Sequence, residues 1–427
     1  MNRHILVALA LLGAMHCHAA LTLEQARDEA RANYPEIAMN PLLEQARDYT
    51  LANISKQWLP QIVAGAQVTW QNHTTKLPSA VRETLQGLGV DAPGIRKDQY
   101  RIGALVHQNI WDGGASHSEK EIAATAADVA LRKTDADLYA VDGHVDDLFF
   151  GSLLAQETQR EIQLTLNLLE SNLHTVEVYY KDGVATMADV DAVKAELLSV
   201  RQLMTDAKAA DESCRALLSV FMGRDISGET LVVPTAPAVA SGDCQRPELR
   251  TFDAMIRSVE AQRAAVKASL MPRIGAFAGA FYGSPGLDLY RDFTGRRWSF
   301  NLMVGLNVGW NIGAFYTRSN SLKKIDIESR QIDVERQSFL FGVNLSKARE
   351  NSEIRKYRKL ISDDSEIVSL RHAVRNAAES KLRNGVIDTN DLLAKITDES
   401  LARRQKVTHE ILLLKAQYQL SHTLNQK

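Results

Sequence analysis

Cysteine, proline and aromatic residues are scarce in this chain: three cysteines, ten prolines and 6% aromatics in 427 residues. Each scarcity excludes something. Three cysteines cannot build a disulfide scaffold or a cysteine-rich zinc site. Sparse proline leaves long stretches without a helix breaker. Charge of one sign is also lacking, since 50 Lys and Arg face 52 Asp and Glu. A nucleic-acid surface needs clustered basic residues, so that class drops out. No His-Glu-x-x-His, Cys-x-x-Cys, phosphate-loop or nucleophile-elbow pattern occurs. Catalysis, a metal site and a cofactor therefore have no visible support. Beyond the first residues, no apolar run approaches the roughly 20 residues of a membrane helix. If the chain spans a membrane, it must do so with strands.

The N-terminus reads as an export signal. Arg3 and His4 precede the apolar core Ile5 to Met15, and Cys17-His18-Ala19-Ala20 supplies a cleavage region. Residues 1–20 are expected to leave the mature protein, placing it beyond the inner membrane. A lipid anchor on Cys17 would need a small residue before it, where His16 stands. Cys214 and Cys244 then remain. An oxidising compartment permits a bridge between them, with two buried free thiols as the alternative.

The most informative presence is an internal duplication with a period of about 200 residues. Trp58-Leu59-Pro60-Gln61-Ile62 is answered by Leu270-Met271-Pro272-Arg273-Ile274. Gly103 to Ile110 is answered by Gly305 to Ile312, and Tyr180 to Asp189 by Leu382 to Asp391. The first repeat covers 21–245 with a strand hairpin at 60–111, a long helix at 116–182, a return helix at 186–224 and a linker. The second covers 246–427, with its hairpin at 272–312, long helix at 316–384 and return helix at 388–425. A shorter helix, Leu23 to Gln57 or Pro247 to Ser269, leads into each hairpin.

Within each repeat the hydrophobic period changes from two to between three and four. Ile62, Ala64, Ala66, Val68 and Trp70 alternate with Gln61, Gln67 and Thr69. Ile102, Ala104, Val106 and Ile110 alternate with Arg101, His107 and Asn109. Phe300 to Ile312 alternates most cleanly, and Ile274 to Tyr282 less so. Each strand has about ten residues, enough to cross a bilayer when tilted, and aromatic residues cluster near the strand ends. The loops 71–99 and 283–297 are rich in Gly, Pro and charge, as exposed loops should be. A helix of about 65 residues would extend nearly 100 Å and must pack in a coiled coil or bundle. Four strands leave two open edges, which lipid does not tolerate, so several copies must close one barrel.

These motifs, in this order and duplicated, resemble the TolC family of outer-membrane efflux proteins. The Leu21-Thr22-Leu23-Glu24-Gln25-Ala26 start carries the resemblance, as do Trp58-Leu59-Pro60, Asn109-Ile110-Trp111-Asp112-Gly113-Gly114 and Arg246-Pro247-Glu248-Leu249. Tyr180-Lys181-Asp182-Gly183-Val184 and Asn384-Gly385-Val386 complete it. The resemblance implies a mainly α protein whose four strands per chain join a trimeric twelve-stranded barrel, continued by a periplasmic α-helical tunnel. It implies a homotrimer in the outer membrane and two partners, a periplasmic adaptor and an inner-membrane ABC or proton-driven transporter. Type I protein secretion is the expected task, with drug or metal efflux as the alternative. A periplasmic or surface coiled-coil rod is the rival of another class.

The resemblance also assigns residues. The adaptor-contact turns fall on Gly183, Val184, Gly385 and Val386, which equally suit tight helix-ending turns. Asp189 and Asp391, with Asp191 and Asp388 as weaker candidates, would ring a periplasmic constriction in a symmetric assembly. Helix capping explains the same carboxylates, since Thr186-x-x-Asp189 has the spacing of a capping pair. Ala185 and Ile387 stand where the family's gating Arg could fall, so the gate of its best-known member does not transfer.

Overall fold

The computed structural model describes residues 20–238, 242–295 and 297–426. The export signal expected over 1–20 lies outside these, apart from Ala20. In chain order the elements are β1 (Ala20–Leu21), α1 (Leu23–Asn33), a 3-10 turn (Pro35–Ala38), α2 (Met39–Lys56), β2 (Gln61–Trp70) and α3 (Ser79–Gly87). They continue with β3 (Asp98–Trp111), α4 (Ala115–Lys181), α5 (Met187–Met222), β4 (Thr230–Leu231) and α6 (Pro247–Ala268). The chain ends with β5 (Arg273–Ser284), α7 (Leu289–Gly295), β6 (Ser299–Gly309), α8 (Ala314–Arg383) and α9 (Thr389–Leu424).

Three departures from the sequence expectation have local causes. The helix expected from Leu23 to Gln57 breaks at Tyr34, which is extended before Pro35. The residue before a proline avoids the helical region, and proline brings no N–H to the turn. The two loops each contain a short helix, α3 and α7. In α7 the buried Asp292 accepts from the backbone N–H of Gly286, which ties the loop to its own helix. β6 ends at Gly309 rather than Ile312 because Trp310 leaves the ladder, its Nε1 donating to the Leu270 carbonyl at 2.9 Å.

The chain divides into two compact units, each drawing on both sequence repeats. The first comprises 1–40, 132–250 and 335–427. Here α1 begins with a capping box in which Thr22 and Gln25 exchange side-chain and backbone hydrogen bonds. Its Leu23, Ala26 and Ala30 pack with Val145, Phe149 and Leu153 of α4, Leu218 of α5 and Ile411 of α9. On its polar side Arg27 and Arg31 form forked pairs with Asp146 and Asp142, buried one turn apart on α4. A second cluster joins Ile162, Leu169 and Val176 of α4, Val190, Val193 and Leu197 of α5, and Leu392 and Ile396 of α9. Burying such a side chain contributes about 1.5–3 kcal/mol, so the helices are held by their stripes rather than by propensity.

The bridge weighed between Cys214 and Cys244 is not formed; both thiols are free. Cys214 on α5 faces Gly151 of α4, where an added Cβ would stand 3.0 Å from its sulfur. Cys244 packs instead with Val343 and Leu420, beside the Thr423 carbonyl. Each thiol lies against its own helix neighbours, and counting cysteines cannot reveal that.

The second unit comprises 41–131 and 251–334 and holds an antiparallel sheet in the order β2-β3-β5-β6. Its register pairs odd residues with odd and even with even, as in Gln61 with His107, Ala104 with Ala280 and Ala278 with Val304. The two faces therefore stay chemically distinct across all four strands. Beside the sheet, Val259 of α6 packs with Ile325 and Ile332 of α8.

Candidate functional site

The helix-to-helix turns of the first unit are built alike. At the end of α4, Val184 N–H donates to the Tyr179 carbonyl at 2.8 Å and Gly183 N–H to Tyr180 at 3.1 Å. At the end of α8, Val386 N–H donates to Lys381 at 2.9 Å and Gly385 N–H to Leu382 at 3.0 Å. These bonds close the helix with a left-handed residue, and Gly183 and Gly385 have φ of +76° and +68°. The valine after such a turn ordinarily folds back on the helix. Here Val184 and Val386 remain 74% and 68% exposed, so the motif presents an apolar side chain at each tip.

The return helices open with caps. Thr186 Oγ1 accepts from Asp189 N–H at 3.3 Å, while Asp189 Oδ2 accepts from Thr186 N–H at 2.8 Å and from its hydroxyl at 2.6 Å. Those hydrogen bonds, the hydroxyl's first, hold the Asp189 carboxyl below the usual range. In the second tip Asp388 is itself the cap, accepting from Asp391 N–H at 2.8 Å. Asp189 and Asp388 thus have structural tasks, while Asp391, on the first turn of α9, and Asp191, just past the first turn of α5, are exposed. Ala185 and Ile387 both pack against the same cluster as Val190 and Leu392, which gathers the two tips at one end of this unit.

Sequence reasoning passed over the polar contacts behind the tips. Thr165 and Ser400 share a buried hydrogen bond of 2.7 Å, and Thr397 donates to Glu196 at 3.0 Å. Glu399 is buried and accepts from His372 Nδ1 at 2.9 Å, Arg375 Nε at 2.8 Å and Arg403 Nη2 at 2.7 Å. Burial raises its carboxyl pKa, but the hydrogen bonds from His372, Arg375 and Arg403 outweigh it and leave the pKa at about 2. The spacing Glu399-x-x-x-Arg403 was the one local signal; the partners on α8 lie too far along the chain to be read.

The even face of the sheet is apolar apart from Asp98, Gln108 and Ser284, with Val304 and Leu306 of β6 70% and 73% exposed. Trp298 stacks between Tyr100 and Tyr282, with ring centres 5.7 and 5.4 Å apart. At the other end, a bulge between Asn109 and Trp111 shifts the register so that Trp111 pairs with Ile274 on the apolar face. Aromatics thus flank both ends of an apolar band, the pattern of a strand crossing a bilayer. Among the described residues no helix is long and apolar enough to cross one.

Residues 26–223 match the profile of the outer membrane efflux protein family. No curated protein sequence matches the chain significantly. Solved channels share its fold at low identity. The outer-membrane channel OprN is 14% identical with a TM-score of 0.69, the match covering 95% of this chain and 90% of that one. The outer membrane protein VceC from Vibrio cholerae is 13% identical, with 94% and 95% covered and a TM-score of 0.67. The open Neisseria gonorrhoeae MtrE channel is 14% identical, with 94% and 88% covered and a TM-score of 0.62. The chain thus resembles the outer membrane efflux protein family over residues 26–223 and shares the fold of these channels over nearly all of its length.

Proposed function

We infer that this protein is one protomer of a homotrimeric duct through which an inner-membrane pump and a periplasmic adaptor export substrate across the outer membrane. The observation that carries this reading is the two-faced sheet with open edges. β2 and β6 each have one neighbour, and unpaired backbone cannot face lipid. Three copies supply twelve strands, within the range of closed barrels, whereas one copy closes nothing. The helix tips then form the periplasmic entrance. Val184 and Val386 offer the adaptor an apolar contact on a rigid turn, and Asp391 and Asp191 offer permeants an acidic ring, with Asp189 and Asp388 behind it. The matched family's description names efflux, and efflux is the reading taken here over type I protein secretion.

The test is extraction followed by conductance. A barrel resists alkaline washing, needs detergent, and runs as a trimer that gives discrete channels in a planar bilayer. A rod would be released by alkali as a soluble species without conductance, and that result would replace the duct with a structural role.

A further inference from the structure

The odd face of the sheet carries a charge pattern that forming a channel does not require. Its strand residues include Arg101, His107 and Arg273 and no carboxylate. Asp98, the one acidic residue of the four strands, has even parity and pairs with Arg96. Arg101 is exposed, and its guanidinium carbon lies 4.2 Å from the ring centre of Phe281. In register Phe281 faces Gly103, and Phe277 faces both His107 and Gly305. A Cβ at Gly103 would stand 2.6 Å from that of Phe281, and one at Gly305 would stand 2.7 Å from the Phe277 ring. Glycine at both positions is what lets the two phenylalanines close against the sheet.

We propose that Arg101, seated on Phe281, forms a cationic–aromatic step in the barrel bore that concentrates anionic solutes. The inference rests on the reading of the even face as the lipid face, which leaves the odd face to line the bore. A guanidinium keeps its charge at any physiological pH. Its seat on the ring holds the side chain against the wall, so the charge is fixed without blocking passage. No carboxylate on the same face neutralises it, and threefold repetition makes a ring of like charge, a common basis of ion selectivity. The step is opposite in sign to the acidic tips, so the duct would filter twice.

The experiment places a thiol on each face with Cys214 and Cys244 changed to Ser. Gly65→Cys reports the odd face, where an added Cβ meets nothing within 4 Å, and Ala66→Cys reports the even face. The trimer in proteoliposomes is treated with a negatively charged sulfonatoethyl or a positively charged trimethylammonioethyl methanethiosulfonate. A single charge a few ångströms away in water changes each reagent's local concentration about threefold, in opposite directions. The anion-to-cation rate ratio at Gly65→Cys is therefore expected to fall about tenfold on Arg101→Gln. Arg101→Lys, which keeps the charge, is expected to retain the ratio. A ratio unmoved by Arg101→Gln, with Gly65→Cys reactive and Ala66→Cys protected, overturns the cationic step and leaves the barrel intact. Equal reactivity at both positions overturns the barrel reading and this inference together.

Discussion

Removing the carboxylate at Glu399 tests whether the α8–α9 hairpin is held by a buried charge or by its apolar stripe alone. In the native protein its pKa lies at about 2, against 4.5 for a free carboxyl. Because the folded value is the lower one, the stabilisation is complete above about pH 4.5 and is lost as pH falls through about 2. Taken at face value that interval corresponds to about 3 kcal/mol. His372 is nearly half exposed and Arg403 about a third, so solvent screens part of it. Arg375 is well buried but keeps Glu379 at 3.1 Å. About 2 kcal/mol is therefore expected for Glu399→Gln, roughly a thirtyfold rise in local opening. Hydrogen exchange of the trimer, read on peptides from α9 and corrected for intrinsic rates, measures this opening directly. In the native protein protection should fall between pH 4.5 and 2. In the variant the loss should already be present at pH 7, with no further change through that window. A variant that exchanges like the native protein at pH 7 and keeps its acid sensitivity would refute the reasoning.

The tips and the core give further expectations. Gly183→Ala and Gly385→Ala should each cost about 1 kcal/mol, purely from the left-handed backbone, since an added Cβ there meets nothing; exchange protection at the turns reads it. Val184→Asp with Val386→Asp should leave trimer stability unchanged while abolishing capture of the adaptor, as a pull-down would register. Asp189→Ala removes half of a capping box and should lower helix-end stability by about 1 kcal/mol. Asp391→Ala should change bilayer reversal potential with little effect on unfolding, separating capping from permeation. Phe149→Ala, at a side chain with 0% exposure, should cost about 3–5 kcal/mol and sharply reduce the yield of folded trimer.

Much of the architecture was legible because it repeats. Alternation in Phe300 to Val308 survives as a ladder, and the glycines at 183 and 385 end the long helices where a left-handed residue was needed. Parity even identified the apolar face before any register was known. Illegible features depend on distant contacts or on competition within a few residues. α3 and α7 are short, and their Gly- and Pro-rich surroundings hide them. The bulge before Trp111 is a choice between two registers that the residues alone do not favour. Glu399 meets His372 from 27 residues away, and the separate seats of Cys214 and Cys244 follow from which helix each thiol faces. At the tips, the candidate carboxylates were visible, but not which of them is occupied with capping.

The open edges of β2 and β6 carry a consequence for biogenesis. A lone protomer entering lipid would expose two rows of unpaired amide and carbonyl groups, at several kcal/mol each, on the order of tens of kcal/mol in all. Under the proposed reading, insertion and assembly become a single event. For the proposed trimer, a copy without partners is barred from the bilayer, and a pair of copies still carries two bare edges until a third closes the ring. The membrane's own intolerance of bare backbone acts as quality control, so an incomplete assembly stays outside the membrane and never becomes a leak in it.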